Sequence, residues 1–297
     1  MSEFSKECQT NSAVSILNAI GLGFGGAIAI DIQCKVRASL TARAQNESSM
    51  IVKSTDMDEH GLVVKCVKDS ARTLHFDIPK GKKLVIEINS AIPIGVGLKS
   101  SSSISTAVVK AVSSIFKDAD LETILKISCH ASKASGASIT GAFDDACACL
   151  LGGLVLTNNS KNQILKQTRI PNQLGSIALV CFRKSAKVYT SSIKKMSYSN
   201  FKESLKEALE LAKHEDIPGA MMMNSLVQCS ALGYSFEPVL FAMEEGATCA
   251  GITGKGPAIA ALCSTNRIAD QIEKRWEQFE GNATLIRTRV VQPREIL

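Results

Sequence analysis

The sequence predicts an α+β protein of two domains, and three observations carry that prediction. Apolar residues alternate at period two after an early cluster of glycines. Farther on they recur at three- and four-residue spacing, and the two patterns are interspersed without the regular strand–helix alternation of a doubly wound sheet. A polar stretch at 157–169 (TNNSKNQILKQTR) reads as a linker, which sets the first domain at residues 1–165 and the second at 170–297. With 297 residues, each half is long enough to bury a core of its own.

Taken in order, the chain opens as strand, glycine loop, strand. Ile28, Ile30, Ile32, Cys34 and Val36 alternate with Ala29, Asp31, Gln33, Lys35 and Arg37, the pattern of a strand buried on one face. Short apolar runs predict further strands at 61–67 (GLVVKCV), 72–78 (RTLHFDI) and 84–89 (LVIEIN). Ile104, Val108, Ala111, Val112 and Ile115 then fall at helical spacing, and the serines at 100–103 offer a cap for that helix. A second helix follows near 121–134, and Gly152–Gly153 leads by a turn into a strand at Leu154–Leu156. The second half reads as a strand at 176–182, helices near 200–213, 218–231 and 236–245, a glycine loop at 251–256 and an apolar strand at 258–263.

Composition excludes several classes of function. The net charge of +6 is dispersed, densest at Lys80–Lys83 and Lys194–Lys195, and aromatic residues make up only 5% of the chain, so the interleaved stacking platform of a single-strand nucleic-acid binder is missing. No nucleic-acid partner is expected. The ten cysteines stand singly in apolar stretches without a CxxC pair, which reads as reduced, buried thiols in a reducing compartment. Residues 13–30 are uncharged, but four glycines and the acidic Glu3 and Glu7 spoil both a leader helix and its basic flank. The expectation is a cytoplasmic protein with no membrane partner.

Three glycine loops bear the chemistry. Gly21–Gly26 matches GxGxxG by letter, yet a strand follows it where a dinucleotide site needs a helix. It reads either as a hairpin turn or as a loop facing a substrate. The second loop runs Pro93, Gly95, Gly97, Leu98, Lys99, Ser100, Ser101, Ser102, between a strand and a helix. Glycines there admit close backbone approach, and free amides at the helix start attract phosphate oxygens; an ordinary capped helix is the alternative. The third loop contains Gly254, Lys255 and Gly256. Between the second and third stand Asp144 and Asp145, either paired for acid–base work or placed to favour a helix N-terminus.

The wording P-x-x-x-G-L-x-S-S at Pro93–Ser101, with Gly251–Ala258 as a later glycine motif, resembles the GHMP kinases over nearly the whole chain. GLKSSSS at 97–103, GAFDDA at 141–146, Asn18 and Asp31 are similar to the archaeal shikimate kinases within that family. The resemblance implies a two-domain GHMP kinase-like fold and ATP-dependent phosphorylation of shikimate, with homoserine kinase or another small-molecule kinase as the rival. It also implies ATP and Mg²⁺ as cofactors: residues 93–102 at the phosphates, the Ser101 hydroxyl at Mg²⁺, Asp144 as catalytic base, and Asn18, Asp31, Asp145, Gly254, Lys255 and Gly256 toward the substrate. Lys99 and Arg183 are further candidate cations for phosphate or the substrate carboxylate. The chain departs from the family pattern at two points. Phe24 stands where a lysine is usual, and no carboxylate near His130 matches the metal ligand of some relatives.

Overall fold

The computed structural model describes residues 4–42, 49–54, 59–183 and 198–294. Two sheets organise them. Strands β1 (Phe4–Leu17), β2 (Phe24–Ala42), β3 (Ser49–Ser54), β4 (Lys82–Ser90), β5 (Leu154–Asn158) and β6 (Gln163–Thr168) form the first. β7 (Ile177–Arg183), β8 (Cys249–Ile252), β9 (Ile259–Cys263) and β10 (Ala283–Arg289) form the second, in the order β10-β7-β9-β8. No helix among the described residues is long and apolar enough to cross a membrane.

β2 organises the first sheet. One of its edges pairs antiparallel with β1 throughout, while the other is shared by β5 at Phe24–Ile28 and β4 at Cys34–Ala42. The C-terminal segment enters the gap between them: Ile30 bridges Val290, and Val291 N–H donates to the Ala29 carbonyl at 2.9 Å. Helices α1 (His60–Leu74), α2 (Ser100–Phe116), α3 (Leu121–Ala134) and α4 (Phe143–Leu151) pack with this sheet and on one another. α5 (Lys202–Lys213) packs on α6 (Ile217–Leu232) and on β1, while α6, α7 (Glu237–Glu244) and α8 (Asn266–Glu280) pack on the second sheet. The largest apolar cluster runs from Ile28, Val108 and Cys147 on to Ala208, Met221 and Leu262, so residues of both sheets share it.

Three local expectations are corrected. Residues 61–67 and 72–78 are not two strands: the first lies within α1 and the second begins at its last turn. Leu62, Val63, Cys66, Val67, Ser70 and Leu74 are its buried stripe, a helical recurrence that the β-branched run masks. The stretch 157–169 is not a linker, because it holds the end of β5 and the whole of β6, an edge strand whose half-exposed positions make it polar. The serine run does not cap α2. Lys99 occupies the N-cap at φ 65° with no side-chain cap bond, and Ser100–Ser103 lie inside the helix. The cysteines are as expected, all ten buried and unpaired. Lys194–Lys195 lies outside the described residues.

Candidate active site

β1 presents its second edge to a cleft. Ser12 Oγ donates to the Leu98 carbonyl at 2.8 Å, Ser15 N–H donates to Thr253 Oγ1 at 3.0 Å, and Asn18 N–H donates to Asn224 Oδ1 at 2.9 Å. The phosphate-loop candidate and the C-terminal glycine loop are thereby held against one strand. They also touch each other: Thr253 Oγ1 donates to the Gly97 carbonyl, and a Cβ on Gly97, at φ 92°, would lie 2.2 Å from the Thr253 oxygen. Glycine at 97 is what lets the two loops meet.

The result is a cavity of about 480 Å³ whose wall includes Asn18, Pro93, Gly95, Gly97–Ser102, Asp144, Asp145, Gly254 and Lys255. These residues come from loops far apart in sequence, and one cavity gathers them. Of the two parts expected for the first glycine loop it takes the turn, connecting β1 to β2; none of residues 21–26 is on the cavity wall, which Asn18, Ala19 and Ile20 just before it reach. Three expected residues fall elsewhere. Asp31 is exposed on β2, because the alternation that buries Ile30 and Ile32 turns it outward, where it accepts from Gln33 Nε2. Gly256 is a turn residue at φ 69° packed toward Ile252 and Tyr234. Arg183, at the end of β7, is exposed and does not line the cavity.

The first turn of α2 is prepared for an anion. The amides of Ser100, Ser101 and Ser102 precede the first helical acceptor, and no side chain caps them. Ser100 Oγ is buried and has no hydrogen-bond partner among the described residues, although it lines the cavity. A buried hydroxyl left in that condition costs about 1–3 kcal/mol, which a bound oxygen ligand would relieve.

The α4 pair lines the same cavity. Asp144 is 4% exposed and lies against the backbone of Gly25, where a Cβ would come within 2.3 Å of its Oδ2. Only glycine tolerates that approach. Asn159 Nδ2 donates to Asp144 Oδ1 at 2.7 Å, and the amide is oriented by Thr157 Oγ1, 2.6 Å from Asn159 Oδ1. Burial and the neighbouring Asp145 charge raise the Asp144 carboxyl to about 7, with Lys99 and the Asn159 bond opposing. Asp145 is held instead by Lys99, whose Nζ lies 2.9 Å from Asp145 Oδ1 and donates to Ser15 Oγ at 2.6 Å. Ser15 Oγ in turn accepts from Gly254 N–H at 3.0 Å. Lys99 is therefore a clamp between α2, α4, β1 and the C-terminal loop, a role that its place in a serine run did not suggest. Burial and the Lys99 charge lower the Lys255 ammonium to about 8.

Glu59, at the N-cap of α1, completes this wall, with Ser101 Oγ donating to its Oε1 at 2.9 Å. Glu59, Ser15, Thr157 and Asn159 were not legible as site residues, since each sits in an ordinary strand or helix-start context. His130 lies on the α3 surface, 2.7 Å from Asp69 Oδ2.

The comparisons fit this geometry. Residues 61–153 match the family described as the GHMP kinases N terminal domain. A shikimate kinase of Pyrococcus furiosus is 32% identical over 94% of this chain and 97% of its own, and one of Pyrococcus abyssi is 34% identical over 91% and 95%. The chain belongs to the GHMP kinases, in the group of the archaeal shikimate kinases. It is a kinase, and ATP is its phosphoryl donor. Among solved structures, a homoserine kinase from Cytophaga hutchinsonii superposes with a TM-score of 0.74 at 17% identity, covering 97% of this chain and 96% of its own. The mevalonate kinase of Methanococcus jannaschii superposes at 0.72 and 18%, covering 97% and 98%. Those two share the fold.

Proposed function

We propose that this kinase transfers the γ-phosphoryl group of ATP to a hydroxyl of shikimate, giving shikimate 3-phosphate. The observation that carries the reading is that one cavity is lined both by the buried Asp144 carboxylate with its neighbour Asp145 and by an uncapped helix start. In it, the amides of Ser100–Ser102 and the glycine backbone of residues 95–97 receive the phosphates. Asp144 takes the proton of the acceptor hydroxyl as its oxygen attacks the γ-phosphorus, and the bond to the ADP oxygen breaks. A carboxyl poised near neutrality suits that task, being ionised often enough and basic enough to accept the proton. Asp145, fixed by Lys99, maintains the negative field that keeps Asp144 poised.

Mg²⁺ fits the oxygen donors present, with the Ser101 hydroxyl on its side of the cavity, and when bound it neutralises phosphate charge. Lys255, beside Gly254 on the wall, is assigned to the shikimate carboxylate, and Asn18, which donates to the Gly254 carbonyl at 2.8 Å, holds that loop toward the acceptor. The names of the relatives at 32–34% identity support shikimate over homoserine or mevalonate, which belong to fold neighbours at 17–18%. We place the enzyme in the cytoplasm, since ten unpaired buried thiols suit a reducing compartment. The test is kcat/KM for shikimate, homoserine and mevalonate with ATP and Mg²⁺. Shikimate should exceed the others by at least a hundredfold, and a higher value for either of the others would overturn the assignment.

A further inference from the structure

We infer that Glu59 is a metal ligand of the nucleotide site, its carboxylate sharing with the Ser101 hydroxyl the divalent cation that arrives on the ATP phosphates; this rests on the nucleotide reading above. Glu59 stands at the N-cap position of α1, yet its side chain makes no cap bond to that helix. It reaches across to the first turn of α2, where Ser101 Oγ donates to Oε1 at 2.9 Å, and both residues line the cavity. The residue is only 5% exposed. Ser100 Oγ, adjacent in sequence, is equally buried and without a partner among the described residues, so the same turn awaits a ligand.

The sign of the charge gives the reason. A helix start that receives a triphosphate is an unfavourable place for a buried carboxylate, because two anions at close range in a water-poor site repel by several kcal/mol. The arrangement becomes favourable when a divalent cation lies between carboxylate and phosphate. Lys99 does not meet that need, since its ammonium is engaged by Asp145 and Ser15. The donors are oxygens only, which selects Mg²⁺ or Mn²⁺ over softer metals. Among the described residues no group of three acidic, histidine or cysteine side chains is arranged to hold a metal. One carboxylate and one hydroxyl are a fitting share for Mg²⁺, whose remaining positions are commonly filled by phosphate oxygens and water. The carboxylate comes from α1 rather than from α3, where His130 stands exposed and bonded to Asp69.

The competing role is a tether between α1 and α2, and Glu59→Gln separates the two. The amide oxygen still accepts from Ser101 and the side chain keeps its size, but the charge that binds a cation is gone. The experiment is an electron paramagnetic resonance titration of Mn²⁺ with the β,γ-imido analogue of ATP, beside calorimetry of the analogue in EDTA. For Glu59→Gln, Mn²⁺ affinity in the ternary complex should fall at least tenfold, with affinity for the metal-free analogue within twofold of wild type and the unfolding midpoint unchanged. Glu59→Asp should recover part of the loss. Equal Mn²⁺ affinity in wild type and Glu59→Gln overturns the assignment while leaving the nucleotide reading intact. A parallel fall for the metal-free analogue also overturns it and shows a tether. A wild-type protein that binds the analogue neither with nor without Mn²⁺ overturns the nucleotide reading and this assignment together.

Discussion

The cavity wall and the far side of the second sheet obey opposite rules of burial. Behind β7 and β9, Leu179, Val239, Ile272 and Trp276 form a dry cluster, and the Trp276 indole N–H is satisfied by the Pro238 carbonyl at 2.8 Å. Charge there stays at the surface, where Arg287 Nε donates to Glu273 Oε1 at 3.0 Å. On the cavity wall Lys99, Asp144 and Glu59 are each less than a tenth exposed. Burying ionic groups gives little or no net stability compared with apolar packing. The first region maintains the fold, and the second keeps strained electrostatics that are useful only when a ligand arrives.

Asp144→Asn should break the comparison on the functional side. Turnover should fall by about 10²–10⁴, the usual contribution of a positioned base, while the fold persists. Stability should move the other way. The folded carboxyl is raised from 3.8 to about 7, so its contribution is fully present below the lower value and is lost as pH rises through the higher. At pH 8 the asparagine variant should therefore unfold at the same or a higher denaturant concentration than wild type. A large fall in the midpoint would show that Asp144 supports the fold.

Trp276→Ala makes the converse break. Truncating a fully buried tryptophan costs about 3–5 kcal/mol, read from equilibrium unfolding, whereas kcat/KM per folded molecule should be unchanged well below the transition. A matching loss of kcat/KM would mean that the two regions are coupled.

A finer test lies within the wall. The acid limb of kcat/KM should follow Asp144 near pH 7. Asp145→Asn removes the like charge and should shift that limb to lower pH, while Lys99→Met removes the opposing cation and should shift it to higher pH. Shifts of the same sign in both variants would contradict the assigned electrostatics. The smallest effect is expected on the solvent side of the first sheet. There Lys53 and Glu87 pair at 2.9 Å with side chains 62% and 42% exposed, and Lys53→Ala should change stability by less than about 1 kcal/mol.

Where one periodicity or one loop type ruled, the fold could be read from residues alone. β2, α2, α3 and the helices α5, α6 and α7 lie within a few residues of their expected places. Reading failed where burial was mixed: α1 carries a β-branched apolar run on a helical stripe, and β6 is a polar edge. β3 and β10 carried no pattern strong enough to name them, whereas α8 was missed although Ile268, Ile272, Trp276 and Phe279 recur at helical spacing behind the Thr265 cap. In the site, the glycine and serine wording of residues 93–102 and the Asp144–Asp145 pair were legible because backbone freedom and paired charge leave traces in sequence. Lys99 as a clamp, Glu59 at Ser101 and Asn159 at Asp144 were not, since each contact joins residues 15 to 84 positions apart. Asp31 misled for the opposite reason: it matches the motif by letter, and the strand turns it outward.

The most direct test of the central claim compares shikimate with its methyl ester as acceptor. A site that meets the substrate carboxylate with a half-buried cation such as Lys255 loses about 1.5–3 kcal/mol when that charge-assisted bond is absent, so the ester should show a kcat/KM at least tenfold lower. Equal phosphorylation of acid and ester would contradict the account.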